Sequence, residues 1–386
     1  MPPPLPPHLP RFERWPRLTI ALIVAALVLA VEGCLRVGYW LLADRPDADQ
    51  AALLRGDGIE DVTRFWRELE LINKDRMQYH PYRWYALPPS VTGRYHSTDR
   101  FGFRSDGRPL DPRTQKIGFF GGSTMYSVRT TAEDSIPGIV NQSLDRSRVE
   151  AVNYGLGAYS STAELMTFIE VTRRPDAGIR WAVFLDGVNE VSRFGEKWQA
   201  QADAPFYDVM GYRWESTRYG LRRELGAPVR ARFAIGRAVD WLADRMERAR
   251  RAPARPPSDH EYGRAGEAIA QIYFHNLEDI RALAVAKSIV PIFALQPTIF
   301  DVAHPSPREQ AIRRRASDHQ IDVGKLYRSA YDAIVKDPRF AAFHVHDLRD
   351  ALNGRGTTGE IFFDDCHLNR AGNALLAARI RTWLPG

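Results

Sequence analysis

The chain has 386 residues, 44% of them hydrophobic and 26% charged, which is enough for one large domain with attachments and a sizeable core. Its net charge of +6 is spread over dispersed basic residues and short runs such as "RARRAPARPP" and "RRRASD", with no basic stripe interleaved with base-stacking aromatics. That pattern reads as solvated surface and excludes nucleic acid as the expected partner. The two cysteines, Cys34 and Cys366, lie near opposite ends of the chain and indicate no disulfide framework.

Residues 1–16 are a proline-rich tail with no fold of its own. Arg11, Arg14 and Arg17 precede an apolar run from Leu18 to Val31, which continues past Glu32 and Arg36 to Tyr39, Trp40, Leu41 and Leu42. The whole of 17–42 is long enough to span a bilayer if Arg36 snorkels to an interface, so it reads as a retained transmembrane signal anchor. Arginines before the span and Asp44, Asp47 and Asp49 after it place the tail in the cytoplasm and the remainder outside. The expected topology is therefore single-pass, with the main domain extracytoplasmic. Glu32, two residues before Cys34, stands where a lipoprotein cleavage box wants a small or apolar residue, which argues against lipidation of Cys34.

Residues 43–110 read as a connecting region. It holds one helix around "DVTRFWRELELINKD", with Phe65, Trp66, Leu69 and Leu71 or Ile72 near one face, and an aromatic, proline-rich stretch, "YHPYRWYALPP", suited to packing on the main domain.

From residue 111 onward, short apolar runs alternate with helical patterns. The expected strands are Lys116–Phe120, then "EAVNYG", "RWAVFLDG", "IVPIFALQP" and "FHVHDL". The expected helices include "SSTAELMTFIEVT", with a capping-box signature from Ser161 to Glu164, a long helix carrying Ile269, Ile272, Tyr273, Leu277, Ile280 and Leu283 at helical spacing, and the final "NRAGNALLAARIRTWL". Strands alternating with helices predict a doubly wound, three-layer α/β/α fold with a central, mostly parallel five-stranded sheet over 111–386, interrupted by an insertion at about 192–262.

In open sheets of this class, ligand chemistry collects at the carboxyl ends of the strands. Four polar turns should converge there: "GGST" with Ser123, "NYGLGAYS" with Gly155 and Gly157, "DGVNEV" with Asn189, and "FFDDCHLN" with Asp364 and His367. A glycine-flanked serine is by itself as well suited to a flexible turn as to a nucleophile. In combination the four turns hold the parts for acyl transfer: a hydroxyl, an imidazole to take its proton, a carboxylate to fix the imidazole tautomer, and amides for the negative oxygen of the tetrahedral intermediate.

The chain resembles the SGNH hydrolase superfamily, also called GDSL-type esterases and lipases. Gly122-Ser123 matches the first block of that family, Asn153 to Ser160 the second, Gly187-Val188-Asn189-Glu190 the third, and Asp364-Asp365-Cys366-His367 the D-x-x-H of the fifth. "STDRFGFRSD" resembles the stretch preceding the serine in membrane-attached bacterial members. The resemblance implies Ser123 as nucleophile, His367 as base and Asp364 as its orienter. It implies an oxyanion hole from the amide of Ser123, the Asn189 side chain and a second-block amide, at Ala158 counting from Asn153 or at Gly157 if the turn is one residue shorter. Gly-Gly-Ser-Thr departs from Gly-Asp-Ser-Leu, and Glu190 stands where the family has aspartate. Asp365 reads as a solvated neighbour or a cap of the last helix.

His344 and His346, two apart on an expected strand with Asp347 beyond, form a metal-ligand spacing without a third cluster, so no metal and no cofactor is expected. Trp198, Phe206, Tyr207, Tyr212, Trp214 and Tyr219 crowd the insertion, which reads as packing or as a cap over the site. The expected function is a membrane-anchored extracytoplasmic serine hydrolase acting on a carboxylic ester of an acylated glycan or lipid-like substrate. The alternatives are an O-acyltransferase on an envelope polysaccharide and an inactive scaffold that binds polysaccharide or a secretion partner.

Overall fold

The structure is a computed structural model that describes residues 15–42, 48–73, 78–197, 234–236, 238–239, 242, 255–318, 320–353 and 359–385. The first fourteen residues of the tail and all six aromatic residues named in the insertion lie outside the described residues. Contacts divide the chain into two compact units, one of Met1–Asp47 with Met210–Arg250 and the other of Ala48–Val209 with Arg251–Gly386.

The first unit contains α1, Pro16–Leu42, whose segment Pro16–Gly38 is long and apolar enough to cross a membrane. Its leucines, isoleucines and valines are largely exposed, as Leu22, Leu27 and Leu29 illustrate. Such a face suits lipid better than water.

In the second unit α2 (Ala48–Gly56) and α3 (Val62–Asn73) lead into two small hairpins, Gln78–His80 with Trp84–Ala86 and Ser97–Thr98 with Arg104–Ser105. The central sheet follows: β1 Gln115–Gly121, β2 Val149–Asn153, β3 Ile179–Asp186, β4 Val290–Leu295 and β5 His346–Asp347. All neighbouring pairs are parallel and the order is β2-β1-β3-β4-β5, so the winding reverses between β1 and β3. That reversal opens the crevice in which doubly wound sheets bind ligands. The expected fold class is the observed one.

The helices are α4 (Ser123–Tyr126), α5 (Ile136–Gln142), α6 (Ser161–Thr172), α7 (Val188–Lys197), α8 (Asp259–Ala286), α9 (Pro307–Arg315), α10 (Val323–Lys336), α11 (Pro338–Ala342) and α12 (Arg370–Arg381). Side chains alternate across the strands, as a two-residue period requires. Phe120, Ala182, Phe184 and Phe293 enter one core with Phe168 of α6, Tyr273 and Leu277 of α8, and Tyr331 of α10. Ile117, Phe119, Val183 and Ile292 enter the opposite core with Val140 of α5 and Leu376 and Ile380 of α12. A third cluster joins Phe65 and Leu69 of α3, Leu87 and Tyr95 to Tyr126 of α4 and to Leu156, Tyr159 and Phe363, all beyond the carboxyl ends of the strands. Residues 48–110 thus buttress the turns that follow β1 and β2.

Three local expectations need correction. His344 is not on a strand: it sits in a turn with φ 51°, and β5 begins only at His346, whose ring stacks on Trp383 at 3.7 Å. Ser161 and Glu164 form no capping box, because the N-cap of α6 is Ser160 and Glu164 is buried. The cap of α12 is Asn369, which accepts from the Gly372 amide at 2.9 Å, and not Asp365.

Candidate active site

Ser123 is the first residue of α4, directly after β1 and Gly122. The glycine is required by close approach: a Cβ on Gly122 would stand 2.0 Å from the Asn189 amide nitrogen, so the third turn lies over the residue before the serine. Asn153, at the end of β2, donates to the Met125 carbonyl at 2.8 Å and accepts from the Gly155 amide at 3.0 Å, tying the serine turn to the second turn. Gln296, just past β4, donates to the Thr124 hydroxyl at 2.8 Å, while that hydroxyl donates to the Cys366 carbonyl at 3.2 Å. Four loops separated by long stretches of chain are thereby fixed around one hydroxyl.

His367 places Nε2 2.6 Å from Ser123 Oγ, and its Nδ1 lies 2.7 Å from Asp364 Oδ2 and 2.8 Å from Oδ1. Asp364 also accepts from the His367 backbone amide at 2.8 Å and from the Cys366 amide at 3.1 Å. The carboxylate three residues before the histidine therefore folds back to hold both its ring and its main chain. Burial by itself would raise the Asp364 pKa, but the adjacent His367, its hydrogen bonds and the Arg129 guanidinium hold it well below the usual carboxylate range. The loop is braced from behind. Arg308 donates to the Phe362 and Phe363 carbonyls at 2.8 and 3.0 Å, and Glu309 accepts from the Ile361 and Phe362 amides at 3.0 and 3.2 Å.

Asn189 Nδ2 donates to the Tyr159 carbonyl at 2.7 Å, which joins the third turn to the second. A primary amide has two N–H groups, so one donor remains on an amide that overlies Gly122. In the second turn the left-handed backbone falls at Ala158, with φ 61°. Gly157 is instead engaged through its carbonyl, which accepts from the Tyr85 hydroxyl at 2.7 Å. Ala158 is exposed, and Ser123 is half-buried.

Behind these donors lies a cluster of acids. Glu190 accepts from the Ser161 amide at 2.5 Å and the Gly187 amide at 3.0 Å, so it caps α6 from a neighbouring element and clasps the second turn to the third. Glu164 reaches Asp186 instead of its own helix end. Burial, and then the charge of Glu190, push Asp186 up to about 7 against the hydrogen bond from Glu164; burial and the charge of Asp186 push Glu164 well above its ordinary value. Gly187 joins β3 to this region with φ 113°, and a Cβ there would meet Leu295 at 2.8 Å and the Tyr331 hydroxyl at 2.9 Å.

Sequence reasoning missed several supporting residues. Arg129 lies 3.5 Å from Asp364 Oδ2 and stacks on Trp66 of α3 at 4.5 Å, but no motif surrounds it. Arg104, within "STDRFGFRSD", is buried and donates to the carbonyls of Tyr126, Ser127 and Thr130 at 3.0, 2.9 and 2.6 Å, which fixes the chain leaving α4. Its place in that stretch was the available signal. Asp364, Cys366 and His367 bring ligand-type atoms within 4.8 Å of one another. Both ring nitrogens of His367 are already engaged, and burial pushes the Cys366 thiol up, away from the thiolate that a metal takes.

No family model and no curated protein matches the chain. Among solved structures it is similar to a putative lipolytic protein of the G-D-S-L family from Desulfitobacterium hafniense DCB-2, at 11% identity and a TM-score of 0.36 over 70% of this chain and 100% of that one. A member of the lipolytic G-D-S-L family from Veillonella parvula DSM 2008 is likewise similar at 11% identity and a TM-score of 0.37, covering 69% of this chain and 96% of that one. An acetyl xylan esterase from Geobacillus stearothermophilus is similar at 14% identity and a TM-score of 0.30, covering 69% and 94%.

Proposed function

We infer that this chain is a membrane-anchored serine hydrolase of the SGNH type that cleaves a carboxylic ester through an acyl-Ser123 intermediate. The observation that carries the reading is the relay Ser123 Oγ, His367, Asp364, with contacts of 2.6 and 2.7 Å and the carboxylate held ionised. His367 Nε2 accepts the Ser123 proton as Oγ adds to the ester carbonyl carbon. Asp364 keeps Nδ1 protonated and stabilises the imidazolium that forms. The new oxyanion takes hydrogen bonds from the Ser123 amide, the second-turn amide and the free N–H of Asn189. The left-handed backbone at Ala158 favours that residue over Gly157 as the second-turn donor, since it is the conformation a glycine supplies without strain. Collapse of the intermediate breaks the C–O bond to the alcohol, which leaves with the proton from His367. Water then repeats the sequence and releases the acid.

The apolar α1 supports anchoring, and the arginines before it support an extracytoplasmic domain over 111–386. A domain held at that surface suits an acyl or acetyl group on a glycan or a lipid-like molecule as substrate. A reporter active only outside the cytoplasm should work after Gly386 and fail before Arg17. The decisive experiment for the chemistry is reaction of the full chain with a fluorophosphonate probe. Label is expected on Ser123, and Ser123→Ala should lose on the order of 10⁶ in kcat while remaining folded. Wild-type protein inert to the probe and to a panel of esters would instead indicate a binding scaffold.

A further inference from the structure

α1 carries a charged pair where an anchor is expected to be apolar. Glu32 is only 7% exposed, and Arg36 donates to it at 2.7 Å one turn further on. The rest of the carboxylate is occupied by a distant part of the same unit: Glu32 accepts from the backbone amides of Ala234 and Ile235 at 2.8 and 3.0 Å. Among the described residues, 234–236, 238–239 and 242 are helical, and the Ala234 and Ile235 amides find their acceptor in the Glu32 carboxylate.

Depth gives the contact its meaning. At ~1.5 Å per residue, Pro16–Gly38 measures about 35 Å against a hydrocarbon core of about 30 Å, and Glu32 lies six residues, or ~9 Å, inside its outer end. An uncompensated carboxylate, or two bare amides, would be costly at that depth. Each satisfies the other. Ala234 and Gly236 are buried at this contact, while Val239 and Leu242, three residues apart on one helical face, are 57% and 52% exposed. The flanking sequence 230–251 has seven arginines and three acidic residues, a balance that suits anionic headgroups.

We propose that the described helical residues 234–236, 238–239 and 242 form a second membrane-resident element, docked on α1 through Glu32, whose Val239 and Leu242 face the acyl–headgroup boundary of the outer leaflet. This inference rests on the reading of α1 as an anchor, and the test separates the two. The full chain, with Cys34 replaced by serine and the buried Cys366 by alanine, receives a bimane label at single cysteines replacing Val28, Val239, Leu242 or Val290. It is reconstituted in phosphatidylcholine–phosphatidylglycerol vesicles with and without nitroxide-bearing lipids. Loss of most of the fluorescence is expected at 28, 239 and 242, and none at 290, an exposed position at the start of β4.

No loss at 28 would overturn the anchor itself. Loss at 28, with 239 and 242 behaving like 290, would overturn only the second element. Blue-shifted emission at 239 and 242 without lipid quenching would mean that a second copy of the chain covers this face, and would overturn the proposal too. In a Glu32→Ala background the lipid quenching at 239 and 242 should fall while that at 28 persists. Glu32→Gln, which keeps one acceptor oxygen, should restore part of it. Quenching unchanged by Glu32→Ala would overturn the assigned role of Glu32.

Discussion

Two acidic sites serve the Ser123 region, and they are built on opposite electrostatic plans. Asp364 is surrounded by donors: the His367 ring, two backbone amides and Arg129. Asp186 sits at the end of β3 with Glu164 and Glu190 for company, and neither of its carboxylate oxygens has a hydrogen-bond donor among the described residues apart from the carboxyl it shares with Glu164. One site is arranged to stay charged, the other to keep a proton. What a carboxyl does is set by what donates to it, and these two aspartates are assigned different tasks on that ground.

The sharpest way to break this contrast is to make both into asparagine. Asp364→Asn removes the acceptor for His367 Nδ1 and offers an N–H in its place, which favours the wrong tautomer. Its kcat is expected to fall by a factor approaching ~10⁴, the loss seen in another triad. Asp186→Asn should leave kcat within an order of magnitude, since Asp186 is not part of the relay. Steady-state kinetics on folded protein checks both. Equal losses would mean that Asp186 acts in the chemistry and that the contrast is false.

Much of this site was legible in the sequence because its parts are short-range. Asp364 and His367 are three residues apart on one loop, and the Gly-Gly-Ser turn follows directly from a strand. Partners set by tertiary contact were not legible. Glu164 has the spacing of a capping residue, but the cap of α6 comes from Glu190 on another element, because Glu164 points inward to Asp186. His344 and His346 looked paired on a strand only because nothing local reveals that the chain turns at His344. Arg129 and Trp66, 63 positions apart in sequence, meet only because α3 packs against the turn after β1.

Asn189 tests the opposite edge of the same hydroxyl. If its second N–H meets charge that exists only in the transition state, Asn189→Ala should lower kcat by roughly 10² to 10³ with little change in KM. A fall in thermal stability with kcat intact would reduce Asn189 to a clasp on the Tyr159 carbonyl.

The two acids also differ in the sign of their linkage to folding. Asp364, held low, stabilises the fold above the unfolded carboxyl range near ~4, and that contribution is lost as pH falls through it. Asp186, raised to about 7, stays protonated in the folded chain after the unfolded chain has ionised. Stability therefore declines as pH rises from ~4 towards 7, by up to about 1.4 kcal/mol per pH unit for one such proton. Asp186→Asn should flatten that decline in a plot of Tm against pH, whereas Asp364→Asn should lower Tm mainly above pH ~4. Parallel curves for wild type and Asp186→Asn would show that the proton resides elsewhere in the cluster.

The smallest expected effect belongs to Asp365, which adjoins Asp364 in sequence but not in task. Its carbonyl accepts from the Ile299 amide at 2.9 Å, so the backbone at this position is fixed whatever the side chain. Burial raises the Asp365 pKa, and the neighbouring Asp364 charge raises it further, the reverse of the environment that holds Asp364 ionised. Asp365→Asn keeps the shape, removes that like charge and leaves every contact of the His367 ring in place. Its kcat/KM should change by about 1 kcal/mol or less, a factor of roughly five. The informative comparison is with Asp364→Asn at the same pH, each with a check of folding. If Asp365→Asn were the more damaging, the carboxylate that orients His367 in solution would be Asp365; equal and mild effects would leave His367 and Ser123 working as a dyad.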